Sequence, residues 1–189
     1  MNKKILIALA LISLITFSAI AYSFITSERQ TFTVLEEPET MADIKMWSNV
    51  YVTLKDSEGN VKYYHENHNV FTDAGKDATK AILGIGTAFN NFTWIAVGNG
   101  TVPASSSTTL NLEIASAGLT RALGTYSSTG TGAWRIEKVF SVTGTVNSIN
   151  STALFNQSAT GTMLAGDTFT NTNVASGDSL NISWVLSVA

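Results

Sequence analysis

No cysteine occurs in the 189 residues. That excludes disulfides, thiol nucleophiles and thiolate metal sites together. Outside the cytoplasm such a chain rests on packing and assembly, not on covalent staples. Charge is also scarce. Asp, Glu, Lys and Arg make up 13%, about half the usual share of roughly 25%. The net charge is −3 with no basic stripe, so no nucleic-acid partner is expected, because phosphate recognition needs clustered Lys and Arg. From Thr87 to Ala189 the only charges are Glu113, Arg121, Arg135, Glu137, Lys138, Asp167 and Asp178.

Catalytic motifs are missing too. No Gly-x-Ser-x-Gly elbow appears. Gly84-Ile85-Gly86 and Gly98-Asn99-Gly100 lack the strand-to-helix setting and the following Lys or Gly of a phosphate loop. His65 and His68, three apart on a strand, point to opposite faces and cannot share an ion. Asp56-Ser57-Glu58-Gly59-Asn60 lacks the ligand spacing and final Glu of a calcium loop and reads as a hairpin turn. Asp167 and Asp178 are candidate calcium ligands, with loop capping as the ordinary alternative. No enzyme activity, cofactor or metal is expected.

What the chain does contain begins at its N-terminus. Lys3 and Lys4 precede an apolar run, Ile5 to Ala21, ending in the small-x-small pattern Ala19-Ile20-Ala21. These are the three parts of a secretory signal, with cleavage between Ala21 and Tyr22. An uncleaved anchor is the alternative, since the run extended to Ile25 reaches the roughly 20 residues of a spanning helix. Both place the remainder outside the cell. With no cysteine after the run, a lipid anchor is excluded.

Residues 22–43 hold one strand-like run, Gln30 to Glu37, with Phe32 and Val34 on one face, and Pro38 separates it from the main domain. That body spans 44–189. Val50, Val52 and Leu54 alternate, and after the 56–60 turn Val61, Tyr63 and His65 share a face, which is a hairpin. Thr72 or Asp73 caps a helix to about Leu83, with Ala78, Ala81 and Ile82 as its stripe and Gly84 or Gly86 as its stop. Beyond the helix the patterns are those of strands: Leu110, Leu112 and Ile114; then Trp134, Ile136, Phe140 and Val142; then Leu180, Ile182, Trp184, Leu186 and Val188. Short strands broken by Gly, Ser, Thr and Asn predict an all-β, antiparallel, jelly-roll-like sandwich with one short helix, preceded by the signal helix and a detached strand.

Five glycosylation sequons start at Asn91, Asn99, Asn150, Asn156 and Asn181. A chain rich in Asn, Ser and Thr also makes some by chance. Their placement is what bears on glycans: Asn91 and Asn99 flank a strand, Asn150 falls in an expected turn and Asn181 lies on the polar face of the last strand. A charge-poor, hydroxyl-rich β surface is expected either to be covered, by glycans or by further copies of the chain, or to be an ordinary neutral exterior.

One series of residues has a familiar order: His68-Asn69, Thr72-Asp73-Ala74-Gly75, Ala96-Val97-Gly98-Asn99-Gly100, Leu154-Phe155-Asn156, Gly161-Thr162-Met163-Leu164-Ala165, Phe169 and Gly177-Asp178-Ser179-Leu180. From about Asn67 to Ala189 it resembles β-sandwich structural proteins of archaeal surfaces and viral tails, and with the signal in front it is most similar to the subunits of archaeal threads and bundling pili. The resemblance implies a secreted subunit of a cell-surface filament in which an N-terminal strand completes the sheet of the next copy. Partners would then be further copies head to tail, with neighbouring filaments or the cell surface beyond them. Gln30 to Glu37 would be the donor, anchored by Phe32 and Val34; folding back as an edge strand of its own domain is the alternative. A membrane-anchored extracellular domain that binds a partner or glycan as a monomer is the second reading of the whole chain, and a secreted hydrolase the third.

Overall fold

The computed structural model describes residues 45–86 and 90–188. The expected signal helix, its expected cleavage point between Ala21 and Tyr22 and the expected strand bearing Phe32 and Val34 lie outside them. Ile44–Ala189 forms one compact unit.

Among the described residues ten strands and one helix occur in this order: β1 (Met46–Lys55), β2 (Val61–His68), β3 (Val70–Phe71), α1 (Asp73–Ile85), β4 (Trp94–Gly98), β5 (Ala122–Leu123), β6 (Thr125–Gly130), β7 (Ala133–Ser141), β8 (Val146–Phe155), β9 (Met163–Val174) and β10 (Ser179–Val188). They form two five-stranded sheets, β2-β1-β10-β7-β6 and β3-β9-β8-β4-β5. All pairings are antiparallel. The fold is an all-β sandwich with one helix, as the strand patterns predict.

The alternating strands build the first sheet. Val50, Val52 and Leu54 of β1 are fully buried, as are Leu180, Ile182 and Trp184 of β10. They pair register for register, Val50 with Trp184 and Val52 with Ile182. Ile95, Val97, Ile149 and Leu154 of the second sheet meet them in the main core. Each large side chain so buried stabilises the fold by about 1.5–3 kcal/mol.

The second sheet is built differently. The end of β8 and the start of β9 are buried on both faces. Residues 99–121, between β4 and β5, pack over the outer face and close a smaller core of Ala96, Leu110, Ala153, Phe155 and Met163. This corrects the expected strand at Leu110, Leu112 and Ile114. Leu110 and Ile114 are buried, but Leu112 turns outward, 66% exposed, at φ 47. The only ladder contact there is an isolated bridge between Gly98 and Glu113. The covering loop also accounts for part of the missing charge. The residues it covers, such as Ala153, Phe155 and Met163, are interior, while the loop itself is mostly exposed.

Helix α1 begins where Thr72, in extended conformation, accepts a hydrogen bond from the Gly75 N–H at 2.9 Å. The Thr72 hydroxyl also donates to the Met163 carbonyl, which ties the cap to β9. Gly75 has to be glycine, because a Cβ there would run into the backbone of Leu164. The helix ends at Gly86, in the left-handed region at φ 63. It is two residues longer than the period suggests, and its stripe is shifted. Gly75 and Ala78 are buried, Ala81 is half-buried, and Ile82 and Leu83 are exposed.

Candidate functional site

The exposed end of α1 forms one wall of an apolar groove of about 500 Å³. Its floor is the inner face of the first sheet, at Ile136 of β7 and Leu186 of β10, and Phe92 and Tyr126 complete the sides. Met46, the first residue of β1, and Val188, the last of β10, also line it. The groove therefore opens at the end of the sandwich where the chain enters the body. Ile82, Leu83, Tyr126 and Val188 around it are all exposed. Period-2 reading finds Ile136 and Leu186 but not the groove. The helix residues that shape it read as a core stripe, and Phe92 and Tyr126 stand outside any clear pattern.

The edges of the first sheet differ in chemistry. Strand β2 carries Lys62, Glu66 and two histidines. Strand β6, TYSSTG, is uncharged and exposed along its whole length. Charge on an edge strand discourages pairing with other chains. The edge beside the groove has none.

The five sequons fall into two groups. Asn91 and Asn99 are exposed and flank β4. Asn150 lies within β8, not in a turn, at an irregular step of the ladder, and its Nδ2 donates to the Gly100 carbonyl at 2.9 Å. The Asn181 Nδ2 donates to Glu137 Oε1 at 2.7 Å. Asn156 is 5% exposed, and its Oδ1 accepts from the Thr162 N–H at 2.7 Å.

The histidines separate as their spacing requires. His68 is exposed. His65 lies between Tyr63 and Phe169, with Nε2 3.3 Å from Asp167 Oδ2. Asp167 is not a loop cap. It is buried in β9 and also accepts from Asn67 Nδ2 at 3.0 Å. Burial pushes its carboxyl above the ordinary range, against the Thr168 N–H, His65 and Asn67, which favour the ionised form. With Tyr63, whose hydroxyl accepts the Thr170 N–H at 3.1 Å, these side chains stitch β2 to β9 across the two sheets. Asp178 does cap a turn, accepting from the Ala175 N–H at 2.9 Å and pairing with Lys62 at 2.7 Å. Burial alone would raise its pKa, but Lys62 and the Ala175 N–H outweigh that and hold it below the usual range. Asp56 organises the 56–60 turn, accepting from the Glu58 and Asn60 N–H groups at 3.0 and 2.8 Å. Among the described residues no group of three or more His, Asp or Glu converges to hold a metal ion.

The chain matches no protein-family model, no curated protein and no solved structure.

Proposed function

We propose that this chain is a non-enzymatic structural subunit of a secreted cell-surface filament, in which residues 30–37 of one subunit seat on the body of the next. The observation that carries the reading is the apolar groove. Exposed apolar surface of this kind is costly in water and marks a place to be covered. Phe32 and Val34, one strand period apart, supply two apolar side chains to cover it. The neutral β6 edge beside it offers unpaired backbone groups to an added strand, the physics of strand complementation. A contact between different surfaces of two copies propagates instead of closing. Pro38 and the polar residues after it favour a strand held away from its own body.

Electron microscopy of protein recovered from the cell surface without denaturant tests this. Thin regular filaments that disappear on deletion of residues 30–37 are the expected result. Dispersed single particles at high concentration would overturn it. A monomeric domain that binds a partner or glycan is then the better reading, and the exposed rings of Trp47 and Tyr64 on the first sheet are where to look.

A further inference from the structure

A second hollow, polar and open, lies at the start of β4. Its volume is about 460 Å³, and Asn90, Asn91, Trp94, Gln157 and Ser158 line it. We infer that Asn91 carries an N-linked saccharide whose first sugars lie in this hollow against Trp94.

Three observations converge on that assignment. The first is access. Transfer of a saccharide to asparagine forms a bond from Nδ2 to the sugar C1 and breaks the C1–oxygen bond of a polyprenyl-phosphate-linked donor. The lipid phosphate leaves with the bonding electrons, and the amide gives up one proton. A sugar on Nδ2 then has to fit the finished fold. Asn156 also borders the hollow but is only 5% exposed, with its Oδ1 held by the Thr162 N–H, and the amide nitrogens of Asn150 and Asn181 are held by Gly100 and Glu137. Asn91 is exposed. Asn99 is exposed as well, but it stands outside the hollow.

The second observation is rigidity. Phe92 packs against the main core and Trp94 against the smaller one. Asn91 is thereby fixed one residue from an anchored ring, and the sequon's Thr93 hydroxyl donates to the Asn91 carbonyl at 3.4 Å. A sugar on this side chain starts from a defined position.

The third is the chemistry of the lining. A pyranose has an apolar face of C–H groups and a rim of hydroxyls. The hollow offers one indole ring for the face and amide and hydroxyl groups of Asn90, Gln157 and Ser158 for the rim. This mix of an aromatic surface and a few placed polar groups suits a bound saccharide.

The inference requires export but not polymerisation, so it stands or falls apart from the filament. The test is glycopeptide mass spectrometry on the full protein recovered from the surface of the cells that make it. The Asn91 peptide should carry a hexose- or hexosamine-containing mass that Asn91→Gln removes. Ser183→Ala, which deletes only the Asn181 sequon and lies outside the hollow, should leave the total glycan mass unchanged. Hydrogen exchange of the 157–159 amides should be several-fold slower in the glycosylated protein than in Asn91→Gln. An unmodified Asn91 peptide, or glycans on Asn156 or Asn181, would overturn the assignment. A modified Asn91 with unchanged exchange at 157–159 would overturn the seating against Trp94.

Discussion

The guanidinium carbon of Arg121 lies 3.5 Å from the centre of the Phe155 ring. The same group pairs with Glu113 through Nε at 2.9 Å and donates to the carbonyls of Gln157 and Thr160 at 3.1 and 2.7 Å. One cation thus fastens the 99–121 loop to the end of β8. Arg121→Ala should cost about 3 kcal/mol, because it removes a desolvated cation–π contact and strands the Glu113 carboxylate. For a domain of this size that is roughly 6–12 °C in Tm, readable by calorimetry. Arg121→Lys should recover only part, since an ammonium cannot reach the carboxylate and two carbonyls as a planar fork does. A shift under about 1 °C for Arg121→Ala would show that the loop is held without it.

Gly75 is the contact point of α1 with β9. Gly75→Ala improves helix propensity by about 1 kcal/mol, yet the new methyl meets the Leu164 backbone. The clash should win, with a net loss of about 1–3 kcal/mol in urea unfolding. Gly84→Ala is the control: nothing lies within 4 Å of a Cβ there, so the propensity gain should appear alone as a small stabilisation.

Asp167 gives a pH test with a definite sign. Its carboxyl titrates above the ordinary range because it is buried, so the fold favours the protonated form. That contribution is fully present below about pH 4 and is lost as pH rises through the elevated folded value. Asp167→Asn removes the titration. Its stability relative to wild type should therefore increase with pH upward from about 4, measured by urea unfolding at fixed ionic strength. A relative stability that instead falls as pH rises would mean that the Thr168 N–H, His65 and Asn67 more than offset burial.

The groove can be closed without disturbing the core. Leu83 is on the surface of α1, 66% exposed, so Leu83→Glu should change stability by no more than about 0.5 kcal/mol. It should nevertheless abolish filaments, as should Phe32→Asp. Filaments of normal length from both variants, seen by electron microscopy, would rule the groove out as the acceptor.

Much of the first sheet was legible because one of its faces is buried and the other wet. That condition writes period 2 into Val50, Val52 and Leu54, and into Leu180, Ile182 and Trp184. The second sheet was harder because both its faces are covered. Ser151, Thr152 and Ala153, or Ala165 and Gly166, are small residues that pack either way and leave no alternation. Leu110, Leu112 and Ile114 did alternate, but a left-handed turn at Leu112 can imitate the pattern while two neighbours plug a core. Along the chain the placements of Asn91, Asn99, Asn150 and Asn181 are all compatible with a glycan. Access to Nδ2 depends on partners such as Glu137, 44 positions from Asn181, which no local pattern encodes. Asp167 likewise found its histidine 102 positions away.

Strand β1 lies between β2 and β10, and its ten residues pair one for one with those of β10. A pull through Lys45 along the axis of β1, opposed at the far end of the sandwich near Lys55, would act as shear on two ladders together. Shear shares the tension among many backbone hydrogen bonds that must give way at once, whereas a strand at the rim can be peeled off one pair at a time. Loaded in that direction, a chain with no disulfide to stop its extension meets tension at its N-terminus through shear rather than peeling.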